Sequence, residues 1–384
     1  ARSNPVIAQN GEYLLYTYYE MTGDNPLAEG HVLAYEIDSD PASSTYGEII
    51  YYAGDPYDDY MGAVWDGGWL LYSRVADSAE LNNDDMDGFN QRDIYFYDTT
   101  YAKFMSGDAA DRRLSFDQEM VDVTGSQSLV SLVLDDSVDS STGLPAAPEY
   151  DLNRDDVVNS DDVQSLVDFT RGVAETEFRY LDLERGRWKL QDSPYSTPTV
   201  VTRRSETYSN STSYRTFLDL IEAEEMPDVV LIAANDGLLH AFALSDDENT
   251  PTTDESGEEL WAWVPDTLIL RDHGNDWANG LVDSMLYGRT YLFDGTPVVE
   301  DVWIDADDDQ VKDCGVDLDD CEWRRVVVVQ QSFGGSRTLA LDITYTDSPT
   351  FLWEQTNTSD YSAMGYTTSR PSIFNVFDYS DSSN

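Results

Sequence analysis

Apolar and polar positions in this chain fall into short strand-length runs separated by Gly, Asn, Asp, Ser and Pro clusters. The clearest pattern lies between Asp228 and Val264, DVVLIAANDGLLHAFALSDDENTPTTDESGEELWAWV. Val229 to Ala233 is an uninterrupted apolar, β-branched run and predicts a buried strand. Asn235-Asp236-Gly237 tolerates the positive φ of a tight hairpin turn, so Leu238 to Leu244 reads as the returning strand. An acidic, Thr-rich loop follows, and Glu259 to Trp263 supplies a third strand with alternating exposure. Three successive antiparallel strands make most of a propeller blade.

The same grammar recurs. Asn4 to Glu20, His31 to Asp38, Gly47 to Tyr52, Ala63 to Arg74 and Asp93 to Asp98 all read as strands with turn signals between them. Near the C-terminus, Arg325 to Gln330, Thr338 to Ile343 and Phe351 to Glu354 repeat the outline of the central stretch. Each copy runs Val-rich strand, Gly-containing turn, a strand rich in Leu and Ala, acidic loop and "Leu-Trp" strand, with His31 to Tyr52 a weaker third copy. Strand spacing alone fits a sandwich as well as a propeller. The repetition favours radial architecture, so the expected fold is all-β, a β-propeller. One helix interrupts it, Ser160 to about Arg171, with an apolar stripe of Val163, Leu166, Val167 and Phe169 and a stop at Gly172. The Gly143 to Pro148 segment marks a boundary. The chain is thus read as propeller strands over 1–142, a loop-and-helix insertion over 143–175, and further blades over 176–384.

Charge changes the picture of partners. The 384 residues carry 75 acidic and 22 basic side chains, a formal net charge of -53, and the only lysines are Lys103, Lys189 and Lys312. Such a surface repels nucleic-acid phosphates and anionic lipids and attracts divalent cations. Adaptation to saline water accounts for the same excess and is compatible with specific cation sites. No apolar run is long enough to span a bilayer, and no leader-like segment opens the chain, which is expected to be a mature protein or a fragment. Cys314 and Cys321 sit close together in an acidic loop without metal or haem spacing. A local disulfide made in an oxidising compartment is the preferred reading, and two free thiols the other.

The strongest chemical motif runs from Tyr150 to Asp162. Asp151, Asn153 and Asp155 take the first, third and fifth positions of an EF-hand-like loop; Val157 offers its carbonyl, Asn159 the ninth position and Asp162 the twelfth. A hard cation such as Ca2+ needs six to eight oxygens from one compact loop, and this spacing wraps them around a point. Asp156 stands where Gly is usual, and Asp rather than Glu closes the loop, as in dockerin-like loops. The competing reading is a solvated acidic helix start capped by Ser160. Asp305, Asp307, Asp309 and Asp313, with the Val311 carbonyl, form a second candidate Ca2+ series beside the cysteines. Asn83, Asp85 and Asp87 with Gly88 suggest a weaker third loop.

Catalytic patterns are thin. His31, His240 and His273 are the only histidines. No GxSxG, GxGxxG or P-loop accompanies them, and carboxylate pairs are too common for any to be singled out. His240 reads as a packed strand position. The expectation is a protein that is not an enzyme.

Val229 to Phe242, VVLIAANDGLLHAF, resembles the "GANDGMLHAF" motif of the C-terminal propeller of type IV pilus-tip adhesins, the PilY1/PilC family. Further pieces match in family order: His31 to Tyr35 with Ala63 to Asp66, Leu166 to Gly172 (LVDFTRG), Asp192 to Val201 (DSPYSTPTVV), Trp323 to Val329 with Gly334-Gly335 and Ala340 to Thr344, and Gly365-Tyr366 with Ser369-Arg370-Pro371. The resemblance implies a quinoprotein-like propeller exported to the cell surface or pilus tip. It also implies contacts with pilin or minor pilins, attachment to a host or abiotic surface, and calcium-dependent control of pilus extension and retraction. The family's D-x-D-x-D-x-x-x-D loop corresponds to Asp305, Asp307, Asp309 and Asp313. An Arg-Gly-Asp found after the helix in some members reads Arg171-Gly172-Val173 here, so integrin binding is not implied, and the von Willebrand-like domain of some members has no counterpart among these 384 residues. The propeller would be incomplete in this chain or close differently. Two other readings stand beside this one, a quinoprotein-like dehydrogenase on the same architecture and a structural subunit or cap of an extracellular filament.

Overall fold

The computed structural model describes residues 5–8, 11–21, 27–51, 62–80, 92–97, 113–117, 134, 137–172, 188–202, 211–245, 256–269, 280–305, 309–355 and 365–374. In the first sheet β1 (Val6–Ile7), β2 (Tyr13–Glu20), β3 (Glu29–Ile37) and β4 (Ile49–Ile50) lie side by side, and β5 (Trp65–Asp66) also pairs with β3. A helix, α1 (Gly67–Glu80), follows β5 directly. Two short strands of the second sheet, β6 (Ile94–Phe96) and β7 (Leu114–Ser115), and the helix α2 (Ser160–Arg171) come next along the chain. That sheet is built on β8 (Thr199–Val201), β9 (Val229–Ala233), β10 (Leu239–Ala243) and β11 (Glu259–Val264), with α3 (Thr212–Ala223) between β8 and β9. Two short helices, α4 (Asp266–Ile269) and α5 (Leu281–Tyr287), lead to the third sheet, β12 (Val298–Trp303), β13 (Trp323–Gln330), β14 (Thr338–Asp342) and β15 (Thr350–Gln355). The chain is thus mostly β-sheet, and its second and third sheets each contain a four-stranded antiparallel meander of blade topology.

Both meanders depart from regular pairing at the same place. The β10–β11 register shifts between Ala241 and Phe242, and the β14–β15 register between Ala340 and Leu341. In both, the irregularity falls just after an alanine of the third strand of the meander, Ala241 or Ala340, so the resemblance of the two copies extends to backbone geometry.

The middle sheet is buried on both faces, which explains its continuous apolar runs. Val229, Leu231 and Ala233 pack in one cluster with Val327, Val329, Leu339 and Leu341 of the third sheet. The alternate residues Val230, Ile232 and Ala234 pack with Leu15, Val32 and Ala34 of the first sheet. Successive side chains of a strand point to opposite faces, so each face needs its own partner layer. The face toward the third sheet also receives Val163, Leu166 and Val167 of α2. Trp261 and Trp263 are wholly buried there, and β6 adds a parallel strand along β11.

Two segments differ from their reading in the sequence. Ala63 to Arg74 contains only the two-residue β5 before α1 begins. Asp66 is the reason: its Oδ1 accepts hydrogen bonds from Gly68 N at 2.9 Å and Trp69 N at 3.3 Å, satisfying the free donors of a helix start. The helix α3 was likewise not anticipated. Ser211 caps it by accepting from Tyr214 N, and Tyr214, Phe217 and Ile221 form its buried stripe. The single helix of the sequence reading is therefore one of several.

Neighbouring backbone segments approach so closely that some positions admit no side chain. A Cβ built on Gly295 would lie 1.9 Å from the Gln330 carbonyl oxygen, whereas one on Gly365 meets nothing within 4 Å. Gly295→Ala is expected to destabilise the fold by about 1–3 kcal/mol or more, through forced backbone displacement. Gly365→Ala is expected to leave it within about 0.5 kcal/mol of wild type. Urea denaturation of both variants checks this.

Candidate metal loops and the buried charge network

The Asp151–Asp162 loop is folded around its own oxygens. Asp151 accepts from Asp155 N at 3.1 Å and Asp156 N at 3.0 Å, and Asn153 Oδ1 accepts from Asp155 N at 3.1 Å. Asp155 Oδ1 accepts from Val157 N at 2.9 Å. Arg154 and Asp156 adopt φ of 63° and 67°. Asp is tolerated in that left-handed region better than most residues, so Asp156 can make the bend that Gly makes in other loops of this spacing.

Asp162 is the clip that closes the loop. Its Oδ1 takes Leu152 N at 2.6 Å and Asn153 N at 3.1 Å, while Oδ2 takes Asn159 N at 2.8 Å. Burial raises its pKa, with the three backbone donors opposing that shift. The cap of α2 is Asn159, in a reciprocal capping box with Asp162, rather than Ser160. Among the described residues no three His, Cys, Asp or Glu side chains are grouped to hold a metal ion. The donor set available for a hard cation is therefore mixed: carboxylates of Asp151 and Asp155, the Asn153 amide and the Val157 carbonyl.

The second acidic series is only partly described. Asp305 Oδ2 accepts from Gln310 N at 3.0 Å, and Asp309 Oδ1 from Val311 N at 2.6 Å. Asp305 Oδ1 is buried with no hydrogen-bond partner among the described residues. Asp313 is exposed, and its carbonyl oxygen faces Glu322 N at 3.4 Å. Asp307 lies outside the described residues, as do Asn83, Asp85, Asp87, Gly88 and His273. A disulfide joins Cys314 to Cys321, and Leu318, Cys321 and Trp323 pack with Tyr214, Phe217 and Ile221 of α3, so the loop has a firm base.

Beside α2 lies a buried charge network that sequence reasoning missed. Arg92 donates from Nε and Nη2 to the two Glu259 oxygens at 2.7 and 2.9 Å. Glu259 also faces His240 Nδ1 at 2.7 Å, and His240 Nε2 faces Asp236 at 3.0 Å. Burial alone would lower the His240 pKa, but Asp236 and Glu259 reverse this and raise it to about 9. Arg92 and His240 hold Glu259 well below the usual carboxylate range against its own burial.

The network also grips the end of α2. Arg92 Nη1 donates to the Thr170 carbonyl at 3.1 Å, and Lys189 Nζ to the Phe169 carbonyl at 2.7 Å. Cations at a helix C-terminus satisfy its last carbonyls and complement its dipole. Burial, then the Arg92 charge, pulls Lys189 down to about 7. A cavity of about 10 Å3 lies among Lys189, Gln191, Asp236 and Ser284, room for roughly one water.

His31 plays a similar structural part, with Nδ1 at 2.6 Å from Asp66 and its ring stacked on Tyr18 at 4.2 Å. The only sequence signals for these networks were polar residues inside apolar strands.

His240 contributes stability that is complete below its ordinary 6.5 and lost as pH rises through about 9. Lys189, lowered from 10.5 to about 7, acts in the opposite sense over an overlapping range. The readout is therefore the stability difference between wild type and His240→Gln. Denaturant melts should show it largest below about pH 6.5, shrinking as pH rises from there and gone above about 9.

No protein-family model matches the chain. Among curated proteins, a type IV pilus biogenesis factor PilY1 homolog of Xylella fastidiosa is 27% identical over 235 residues, 57% of this chain and 14% of that protein. The type IV pilus biogenesis factor PilY1 of Pseudomonas aeruginosa is 29% identical over 215 residues, 54% of this chain and 15% of its own length. The crystal structure of the Pseudomonas aeruginosa PilY1 C-terminal domain aligns with 24% identity over 41% of this chain and 24% of that chain, at a TM-score of 0.26. The chain thus spans about a seventh of the curated relatives it matches. Over the half or so of its length that these relatives cover, the chain is similar to PilY1-type pilus biogenesis factors.

Proposed function

We propose that this chain is a calcium-binding propeller region of a type IV pilus-associated surface protein, acting in attachment and in pilus biogenesis and retraction control rather than in catalysis. The observation that carries the calcium reading is the Asp151–Asp162 loop. Its side-chain oxygens turn inward on alternate residues, its sixth position bends through positive φ, and its twelfth residue ties the ends together. An ion held by Asp151, Asn153, Asp155 and the Val157 carbonyl would supply charge neutralisation for carboxylates that otherwise repel. Asp305, Asp309 and Asp313 form the second proposed loop, with the orphaned Asp305 Oδ1 as a ready ligand.

The pilus assignment rests on the names of the PilY1 relatives, and pilin or minor pilins are the corresponding partners. Export through an oxidising compartment accords with the Cys314–Cys321 disulfide. No helix among the described residues is long and apolar enough to cross a membrane. The non-catalytic reading is supported by His240: held between Asp236 and Glu259, with its pKa near 9, it is protonated at neutral pH and unsuited to act as a base.

Calcium that binds only the folded state stabilises it by about 2.7 kcal/mol at a hundredfold excess over its Kd. Added calcium is therefore expected to raise the melting temperature and EGTA to lower it. The Asp151→Ala, Asp305→Ala double variant should lose the response. Absence of a calorimetric binding heat, together with an unaltered double variant, would overturn the calcium reading. Co-purification of the chain with sheared pili tests the pilus association separately.

A further inference from the structure

The first strands of the two meanders, β8 and β12, open with similar phrases, Thr197-Pro198-Thr199-Val200-Val201 and Thr296-Pro297-Val298-Val299. The two segments lie against each other: Thr199 Oγ1 donates to the Pro297 carbonyl at 2.7 Å, and Thr197 N to Thr296 Oγ1 at 3.1 Å. Just before each phrase stands an aspartate, Asp192 or Asp294, and both are fully buried. Asn235 Nδ2 sits between them, 3.1 Å from Asp192 Oδ2 and 3.4 Å from Asp294 Oδ2. Arg289 neutralises Asp192 with two hydrogen bonds of 2.9 and 2.6 Å. Asp294 has no such partner, and its Oδ1 is buried without a hydrogen bond among the described residues. Burial raises the Asp294 pKa to about 6 against hydrogen bonds from Ser332 and Asn235, so above that pH two charged acids share the one guanidinium found there among the described residues.

Three aromatic rings stand beside this deficit. Tyr195 and Phe333 are 4.5 Å apart between centroids, and Tyr291 lies 6.2 and 6.1 Å from them. Tyr195 is 49% exposed and Phe333 43%, large values for apolar rings that touch each other at a surface. The Tyr195 and Phe333 planes are inclined by 43°, a wedge rather than the flat platform that stacks a sugar ring. Arg289 already lies 4.9 Å over the Tyr291 ring while bonded to Asp192. Arg289 is thus held by Asp192, Tyr291 and, at 6.0 Å, Tyr19, while Tyr195 and Phe333 carry no cation among the described residues. Ser196 Oγ donates to the Gly295 carbonyl at 3.2 Å and Thr296 Oγ1 to the Tyr195 carbonyl at 3.1 Å, so Tyr195 and Asp294 stand on touching segments.

We propose that Tyr195, Phe333 and Asp294 form a receptor for one cationic side chain, Arg or Lys, presented by a protein partner. A cation over aromatic faces gains from the ring quadrupoles, and more when a carboxylate stands behind them. The charge of the whole chain, -53, selects for a basic partner and brings it in from a distance. The site is independent of the two acidic loops.

The test uses the intact chain labelled with 3-fluorotyrosine, the Tyr195 resonance being assigned through Tyr195→Phe. Nα-acetylarginine methylamide is titrated in high salt, where diffuse attraction is screened. A saturable shift of the Tyr195 resonance is expected, with affinity at least about tenfold weaker in Asp294→Asn and in Phe333→Ala. The citrulline analogue, equal in shape but uncharged, should give no saturable shift. Phe333 is exposed, so its variant keeps the test valid if Asp294→Asn fails to fold. Equal responses to arginine and citrulline, undiminished binding in Phe333→Ala, or a response to a methyl glycoside without one to arginine would overturn the proposal.

Discussion

The ion pair between Arg92 and Glu259 is the contact on which several distant parts of this molecule depend. Glu259 opens β11, Arg92 precedes β6, and the pair holds the two together where β6 lies parallel to β11. The same guanidinium receives the end of α2, and the same carboxylate orients His240. All four groups are buried, so breaking any one leaves charge in a medium that solvates it poorly. With two bases facing two acids along the line Arg92, Glu259, His240 and Asp236, the network is balanced, which is why it can be buried at all.

That network gives α2 a second function besides filling the core. The Asp151–Asp162 loop ends in the helix, and the helix ends in carbonyls held by Arg92 and Lys189. The helix thus joins the loop at one end to the buried charges at the other across twelve residues. The helix also presents Val163, Leu166 and Val167 to the face of the middle sheet, so its position cannot drift without disturbing that packing.

Much of the fold was legible because the middle sheet has neighbours on both faces. Double burial demands unbroken apolar runs, and Asn235-Asp236-Gly237 marks the turn between them without ambiguity. The helix α1 was misread because Val64, Trp65, Trp69 and Leu70 look like strand residues, while the decisive information was a single capping carboxylate, Asp66. The loop oxygens at 151, 153, 155 and 162 could be read from local spacing, since loop geometry is a local property. The buried ions could not. Arg92 and Glu259 are 167 residues apart, and nothing in either neighbourhood distinguishes them from the chain's many other charges. The paired aspartates Asp192 and Asp294 are intermediate: the Thr-Pro phrase repeats visibly, but only the folded chain shows that the copies touch.

The parallel pairing of β6 with β11 also bears on how the chain avoids self-association. Glu259–Val264, ELWAWV, is rich in tryptophan and carries one charge, a composition that stacks readily into cross-β ladders when its edge is open. In the folded chain that edge is occupied by Ile94–Phe96, and β7 lies beyond it. The protective strand is more than 160 residues upstream. During synthesis the cover therefore already exists when the hazardous strand emerges, and the order of elements along the chain acts as a safeguard against aggregation.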